Sequence, residues 1–302
     1  SSIFIIIIKQ EMKVCGFSFL RNAVKYDFPF EESLRSLLPL CDEVIVAVGK
    51  SDDETLERIK SIDTKIKILE TSWDESQKEG GRVYALETDK AFHAIPSAYD
   101  WAFYLQGDEV IHEKYYPAIQ HSMQEYLNQP KVDGLLFNYK HFFGSYDYVG
   151  AKYSWYRREI RIVRNNKNIF SYRDAQGFRK KPNEKLRVKL IDAFIYHYGW
   201  VRNPAALQQK INANISIYQG NNAEAQLKEM SKAIYDYDTA NEPVEPFTET
   251  HPAVMQKRIL QQNWPFEPNN NFKYASAKDK LKRIVGKYTG WYIGEYKNYK
   301  KI

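Results

Sequence analysis

Four apolar, strand-like segments lie in the first 105 residues, separated by segments with helical periodicity, and this alternation constrains the fold more than any other feature. Val14 to Leu20 is a short apolar run that stops at Arg21-Asn22. Phe30, Leu34, Leu37 and Leu38 then fall on one face of an amphipathic helix, with Pro39 near its end. Val44 to Val48 reads as a fully buried strand, and Ser51-Asp52-Asp53 is a helix-start signal ahead of Leu56 and Ile59. Ile66 and Ile68 mark a third strand. Gly80-Gly81 precede a helix over Val83 to Ala94, and Trp101 to Leu105 is a fourth strand. Strands alternating with helices predict a parallel α/β sheet with helices on both faces, and such sheets bind ligands beyond the carboxyl ends of their strands.

From Val132 the pattern changes. Gly134 to Phe143, Glu159 to Val163 and Leu190 to Tyr198 read as strands without regular helices between them. Leu207, Ile211, Ile215 and Tyr218 share one face of a helix over Ala205 to Tyr218, and Asn241 to Pro268 reads as an irregular wrap. No internal repeat or low-complexity tract is visible. The division expected is an extension over 1–11, an α/β domain over 12–204, and a helical, irregular extension over 205–302.

The composition, 43% hydrophobic and 27% charged over 302 residues, is that of a globular chain and excludes disordered, collagen-like and polytopic membrane classes. Cys15 and Cys41 are the only cysteines, so no disulfide framework is expected and a reducing compartment is implied. Ile3 to Ile8 is far short of a membrane span, and no secretory leader is recognisable. The expected location is therefore the cytoplasm, or the cytoplasmic face of the inner membrane. Richness in lysine and tyrosine with few glycines suggests a bacterial source.

The formal charge of +6 is unevenly placed. Residues Asn271 to Ile302 hold nine basic and two acidic side chains, so the other 270 residues sum to −1. Tyr274, Tyr288, Trp291, Tyr292, Tyr296 and Tyr299 are interleaved with these lysines, a mixture suited to peripheral contact with an anionic membrane. The plainer reading is a solvated helix packed by Leu281, Ile284 and Val285 with a disordered end. No nucleic-acid module accompanies the tail, so no nucleic-acid partner is expected.

The chemistry concentrates at Leu105-Gln106-Gly107-Asp108-Glu109, where a buried strand stops and two acids follow. Carboxylates at such an edge can hold Mg²⁺ or Mn²⁺, which in turn bridges nucleotide phosphates. An acid capping the next segment, near His112, fits the same pattern. Arg82, opening a helix after two glycines, suits phosphate or ribose. Arg157, Arg158, Arg161 and Arg164 cluster around one strand, just after a stretch crowded with Tyr146, Tyr148, Tyr153, Trp155 and Tyr156, many of which core packing explains as well as sugar stacking.

Phe19-Leu20-Arg21-Asn22, Val44 to Thr55 with Ser51-Asp52-Asp53-Glu54-Thr55, Gln106-Gly107-Asp108-Glu109 and Ile195-Tyr196-His197-Tyr198-Gly199-Trp200 occur in an order that resembles the family 2 glycosyltransferases of the GT-A fold. The resemblance covers about the first 200 residues. It implies a Rossmann-like open sheet and inverting, metal-assisted transfer of a sugar from a nucleotide-sugar donor, by default a UDP-sugar, to a glycan or lipid-linked acceptor. It places Phe19, Arg21, Asn22, Asp53, Gln106 and Asp108 at the donor and Asp108, Glu109 and His197 at Mn²⁺ or Mg²⁺. Two departures stand out: Gln106 occupies the first acid of the Asp-x-Asp motif, and Val48-Gly49 replaces an acid that contacts base or ribose. Both would also suit a non-catalytic sugar- or nucleotide-binding scaffold of the same fold.

Transfer also needs a base for the acceptor hydroxyl. Asp174, in a loop between the last two strand-like segments, is the first candidate, with His141 and Asp147 behind it.

Overall fold

The computed structural model describes residues 11–77, 79–219, 234–240, 242–268, 277–289, 292 and 295–302. The expected extension over 1–11 falls almost wholly outside them, as do Tyr274 and Trp291 of the basic tail.

The first half follows the strand and helix order set by the apolar pattern. Strands β1 (Val14–Leu20), β2 (Glu43–Gly49), β3 (Ile66–Thr71) and β4 (Trp101–Tyr104) pair in parallel in the order β3-β2-β1-β4. Helices α1 (Phe30–Leu37), α2 (Thr55–Lys60) and α3 (Arg82–Ala94) make the crossovers. Strands β1, β2 and β4 are apolar on both faces, as a doubly covered sheet requires, while the edge strand β3 exposes Lys67 and Glu70. Val14, Val44, Val46, Trp101 and Phe103 face one core with Leu34, Leu37 and Ile59 from α1 and α2. Cys15, Phe17, Ile45, Ala102 and Tyr104 face the other, with Ala91 and Phe92 of α3. Helix α4 (Tyr116–Tyr126), after the short β5 (Glu109–Ile111), adds Ile119 and Met123 to the first core. This is an open Rossmann-like α/β sheet of GT-A type, with helices on both faces.

Beyond β4 the sheet is mixed. Strand β8 (Arg158–Arg164) pairs antiparallel with β4 and with β6 (Gly134–Phe143). The 17-residue β11 (Glu184–Trp200) pairs parallel with β6 and antiparallel with β5. The loop expected around Asp174 is the turn of a hairpin, β9 (Ile169–Tyr172) and β10 (Gly177–Lys180), which reaches β11 through β10. Single alternating residues in two four-residue strands leave too short a pattern to recognise. A small ribbon of β7 (Tyr148–Gly150) and β12 (Val244–Pro246) hangs from β6.

Helix α5 (Pro204–Gln219) follows β11 directly, and the short α6 (Gln256–Leu260) lies within the predicted irregular wrap. In α7 (Ala277–Thr289) the expected packing is not found: Leu281 and Ile284 are 61% and 46% exposed. The expected disordered end is instead a strand, β13 (Tyr299–Lys301), paired in parallel with β11, with Tyr299 and Asn298 buried.

One ion pair joins the two halves of the sheet. Glu109 at the start of β5 is fully buried and receives Nε and Nη2 of Arg161 from β8 at 2.8 and 2.7 Å. The Tyr139 hydroxyl and the Gln106 amide also donate to it. Removing one partner of such a pair leaves an uncompensated buried charge. Arg161→Met is expected to lose about 3–5 kcal/mol in urea unfolding, and the double variant with Glu109→Leu to recover much of it.

Candidate functional site

Beyond the carboxyl ends of β1 and β4 lies a cavity of about 710 Å³. Phe19, Arg21 and Asn22 enter it from the end of β1, and Gln106 and Asp108 from the end of β4. Helix α5 covers it with Lys210, Asn214 and Tyr218. Trp73 and Tyr84 form an aromatic wall with Phe19: the Phe19 and Tyr84 rings stack at 5.7 Å and the Trp73 ring meets Tyr84 edge-on at 5.6 Å. The Arg21 guanidinium lies 4.9 Å from the Trp73 ring. Gly49, at the position where an acid is missing, is where the Trp73 indole sits: a Cβ there would collide with it.

Asp108 is the charged centre. It is buried and meets Lys210 Nζ at 3.1 Å and Arg202 Nη2 at 3.2 Å through Oδ2, while Oδ1 lies 3.7 Å from His197 Nε2. Burial alone would raise its pKa, but Lys210, His197 and Arg202 hold the carboxyl well below the usual range. Burial, reinforced by Arg202, pushes the Lys210 ammonium down to about 8 against the pull of Asp108. Gly199 leaves room here, since a Cβ would crowd both His197 and Asp108.

His197 is oriented by a second histidine. His141 Nε2 lies 2.6 Å from the Tyr156 carbonyl, and its Nδ1 lies 3.0 Å from His197 Nδ1. A carbonyl only accepts, so His141 donates from Nε2 and its Nδ1 receives the His197 Nδ1 proton. His197 Nε2 then carries a lone pair toward Asp108. Burial lowers the pKa of both rings, most strongly for His141, where His197 adds to the effect.

The structure thus gathers Phe19, Arg21, Asn22, Gln106, Asp108 and His197 around one cavity, with Asp174 at its rim. Other expected residues lie elsewhere. Glu109, proposed as a metal ligand, does not line the cavity: Arg161, which does, occupies both its oxygens from behind. Asp53 accepts from the Lys25 and Thr55 amides and holds the turn before α2, while its neighbour Asp52 lines the cavity. Arg82 lines a second, adjacent cavity. His141 is sealed behind His197, and Asp147 lies outside the cavity, paired with Ser145.

Lys210 and Arg202 escaped sequence reasoning. The signal was present for Lys210: it falls between Leu207 and Ile211, a charge on the apolar stripe of its helix. Arg202, two residues past the end of β11, carried none.

Asp108 Oδ1 and His197 Nε2 form a carboxylate–imidazole pair that fits a divalent cation, the remaining ligands having to come from outside the protein. Among the described residues no group of three or more acidic, histidine or cysteine side chains converges on such a site.

No protein-family model matches the sequence, and neither does any curated protein. Among solved structures, S. aureus TarS is similar at 16% identity and a TM-score of 0.40, covering 74% of this chain and 43% of that one. TarS 1-349 in complex with UDP is similar at 15% identity, with 70% and 68% covered and a TM-score of 0.38. Glucosyl-3-phosphoglycerate synthase from Mycobacterium tuberculosis, with Mn²⁺, UDP and phosphoglyceric acid, shows 17% identity, 43% and 44% coverage and a TM-score of 0.30. The chain spans less than half the length of the first of these.

Both histidines have folded pKa values below the ordinary 6.5, so the unfolded chain binds more protons as pH falls. Stability contributed by this pair is therefore present above about pH 6.5 and declines as pH drops below it. Long-range ¹⁵N–¹H spectra at pH 6.5 should show both rings mostly neutral, His141 protonated on Nε2 and His197 on Nδ1. The opposite tautomer at His197 would refute this orientation of the ring.

Proposed function

We propose that the protein is a glycosyltransferase that moves a sugar from a nucleotide-sugar donor to a glycan or lipid-linked acceptor. The observation that carries this is the cavity at the ends of β1 and β4, where an aromatic wall adjoins Asp108, Lys210 and Arg21. A nucleobase suits the Phe19, Trp73 and Tyr84 rings, and a diphosphate suits the cations beyond them. Uridine is the default base.

Mn²⁺ or Mg²⁺, held by Asp108 and His197, would supply positive charge to the departing diphosphate. Lys210 adds charge of its own from α5, and Asp108 keeps that ammonium in place. Asp174 is the proposed base: it lies at the rim of the cavity and accepts from the Tyr218 hydroxyl at 2.6 Å. It takes the proton from the acceptor hydroxyl as that oxygen bonds to the anomeric carbon and the bond to the diphosphate oxygen breaks. A single displacement of this kind inverts the anomeric configuration.

Peripheral contact with an anionic membrane is supported by α7, where Leu281, Ile284 and Tyr288 are exposed on a lysine-rich helix. Sedimentation with vesicles containing phosphatidylglycerol should fall in Leu281→Glu, and unchanged sedimentation would remove this partner.

Calorimetric titration with UDP, GDP and CDP, with and without Mn²⁺, tests the donor site. One nucleotide should bind, and Lys210→Met should weaken it by about tenfold to a hundredfold, the worth of one charge-assisted hydrogen bond. Because Lys210 loses its proton near pH 8, affinity in the parent protein should fall as pH rises through that value, and the variant should lack this dependence. Absence of binding by all three nucleotides would overturn the reading. Binding without turnover of any nucleotide sugar would favour a scaffold.

A further inference from the structure

A second cavity, of about 720 Å³, lies beside the first, between the start of α3 and the β9–β10 hairpin. The two share Asp174 and Gln176. Asp174 stands on the ridge between them because its turn is unusually bent: Arg173 and Ala175, on either side, both adopt left-handed backbone angles, φ 57° and 65°. Side chains other than glycine rarely take this conformation, and it persists where surrounding contacts enforce it. The contacts are visible. Tyr218 of α5 donates to the Asp174 carboxylate, and Gly81 permits the close approach, since a Cβ there would lie 2.8 Å from Asp174 Cβ.

The lining of this second cavity describes its ligand. Arg82 and Arg173 supply guanidinium donors, and Asp89 and Asp174 supply carboxylate acceptors. Among the described residues, formal charges of two against two favour neither an anion nor a cation. The Tyr172 ring adds an apolar surface. Ser171, also in the lining and 5% exposed, has an Oγ with no hydrogen-bond partner among the described residues, although its amide is held by Asp89 at 2.7 Å. Balanced donors and acceptors around an aromatic face match a neutral polyhydroxylated molecule, whose hydroxyls both give and receive hydrogen bonds.

We propose that the second cavity is the acceptor subsite and that it takes an uncharged sugar residue at the end of a glycan, presenting one hydroxyl across the ridge to Asp174. This rests on the glycosyltransferase reading of the first cavity. It gives Arg82, expected at the donor, a place on the acceptor instead.

The test uses the full chain and a panel of methyl glycosides of glucose, galactose, mannose, N-acetylglucosamine and N-acetylgalactosamine, observed by saturation-transfer NMR. Leu86→Trp fills the second cavity from α3 without reaching the first. At least one glycoside should receive saturation from the parent protein and lose it in Leu86→Trp, while the nucleotide dissociation constant stays within twofold. Arg82→Ala, an exposed position, carries the same comparison should the tryptophan variant fail to fold. Contact with no glycoside of the panel, or contact that persists in the substituted protein, overturns the proposal. Loss of nucleotide binding by the parent protein would instead overturn the donor reading, a separate result.

Discussion

The buried pair of Glu109 and Arg161 is the contact on which the rest of the site depends. It ties the strand that follows the parallel sheet to the first antiparallel strand, and the Gln106 amide closes the turn onto the same carboxylate. With Glu109 held behind Arg161, its neighbour Asp108 is the one of the two acids that lines the cavity. Two adjacent acids that look equivalent in the sequence thus serve different purposes, one in anchoring the sheet and one in gathering cations at the cavity. In so buried an environment neither arrangement tolerates a missing partner, because an unpaired charge costs more there than a pair gains.

The second level of organisation is the ordering of polar groups behind Asp108. A backbone carbonyl fixes one histidine, which fixes the next, so the only ring nitrogen left with a lone pair is the one beside the carboxylate. Each member of the chain has a single consistent role, and burial keeps both rings neutral. The arrangement needs no flexible side chain, so the ring beside Asp108 is already oriented by the protein itself.

The fold was legible to the extent that its strands were long or fully apolar. Val44 to Val48 and Gly134 to Phe143 lie in strands whose β-branched or aromatic content and near-complete burial made them stand out. The β9–β10 hairpin was missed because each arm has four residues, and β13 because Tyr299-Lys300-Lys301 carries two lysines and pairs through its backbone. In the site, acids past a strand end were recognisable by position, but their partners were not. Arg161 and Glu109 are separated by 52 residues, and Lys210 and Asp108 by 102, so only the folded chain shows which charges are spent on one another. Asp53 misled for a related reason: an acid at a turn serves the backbone as readily as a ligand.

Helix α5 has a consequence for the order in which the cavity comes into being during synthesis. The edge formed by β1 and β4 is complete within the first 108 residues, yet Arg202, Lys210 and Tyr218 follow about a hundred residues later. Until they emerge, Asp108 lacks the cations that offset its burial. Without this segment the edge would stay uncovered, so the charge-balanced cavity exists only with α5 in place. The cavity is in this way a late property of the polypeptide, since its lining is finished by residues in the last third of the chain.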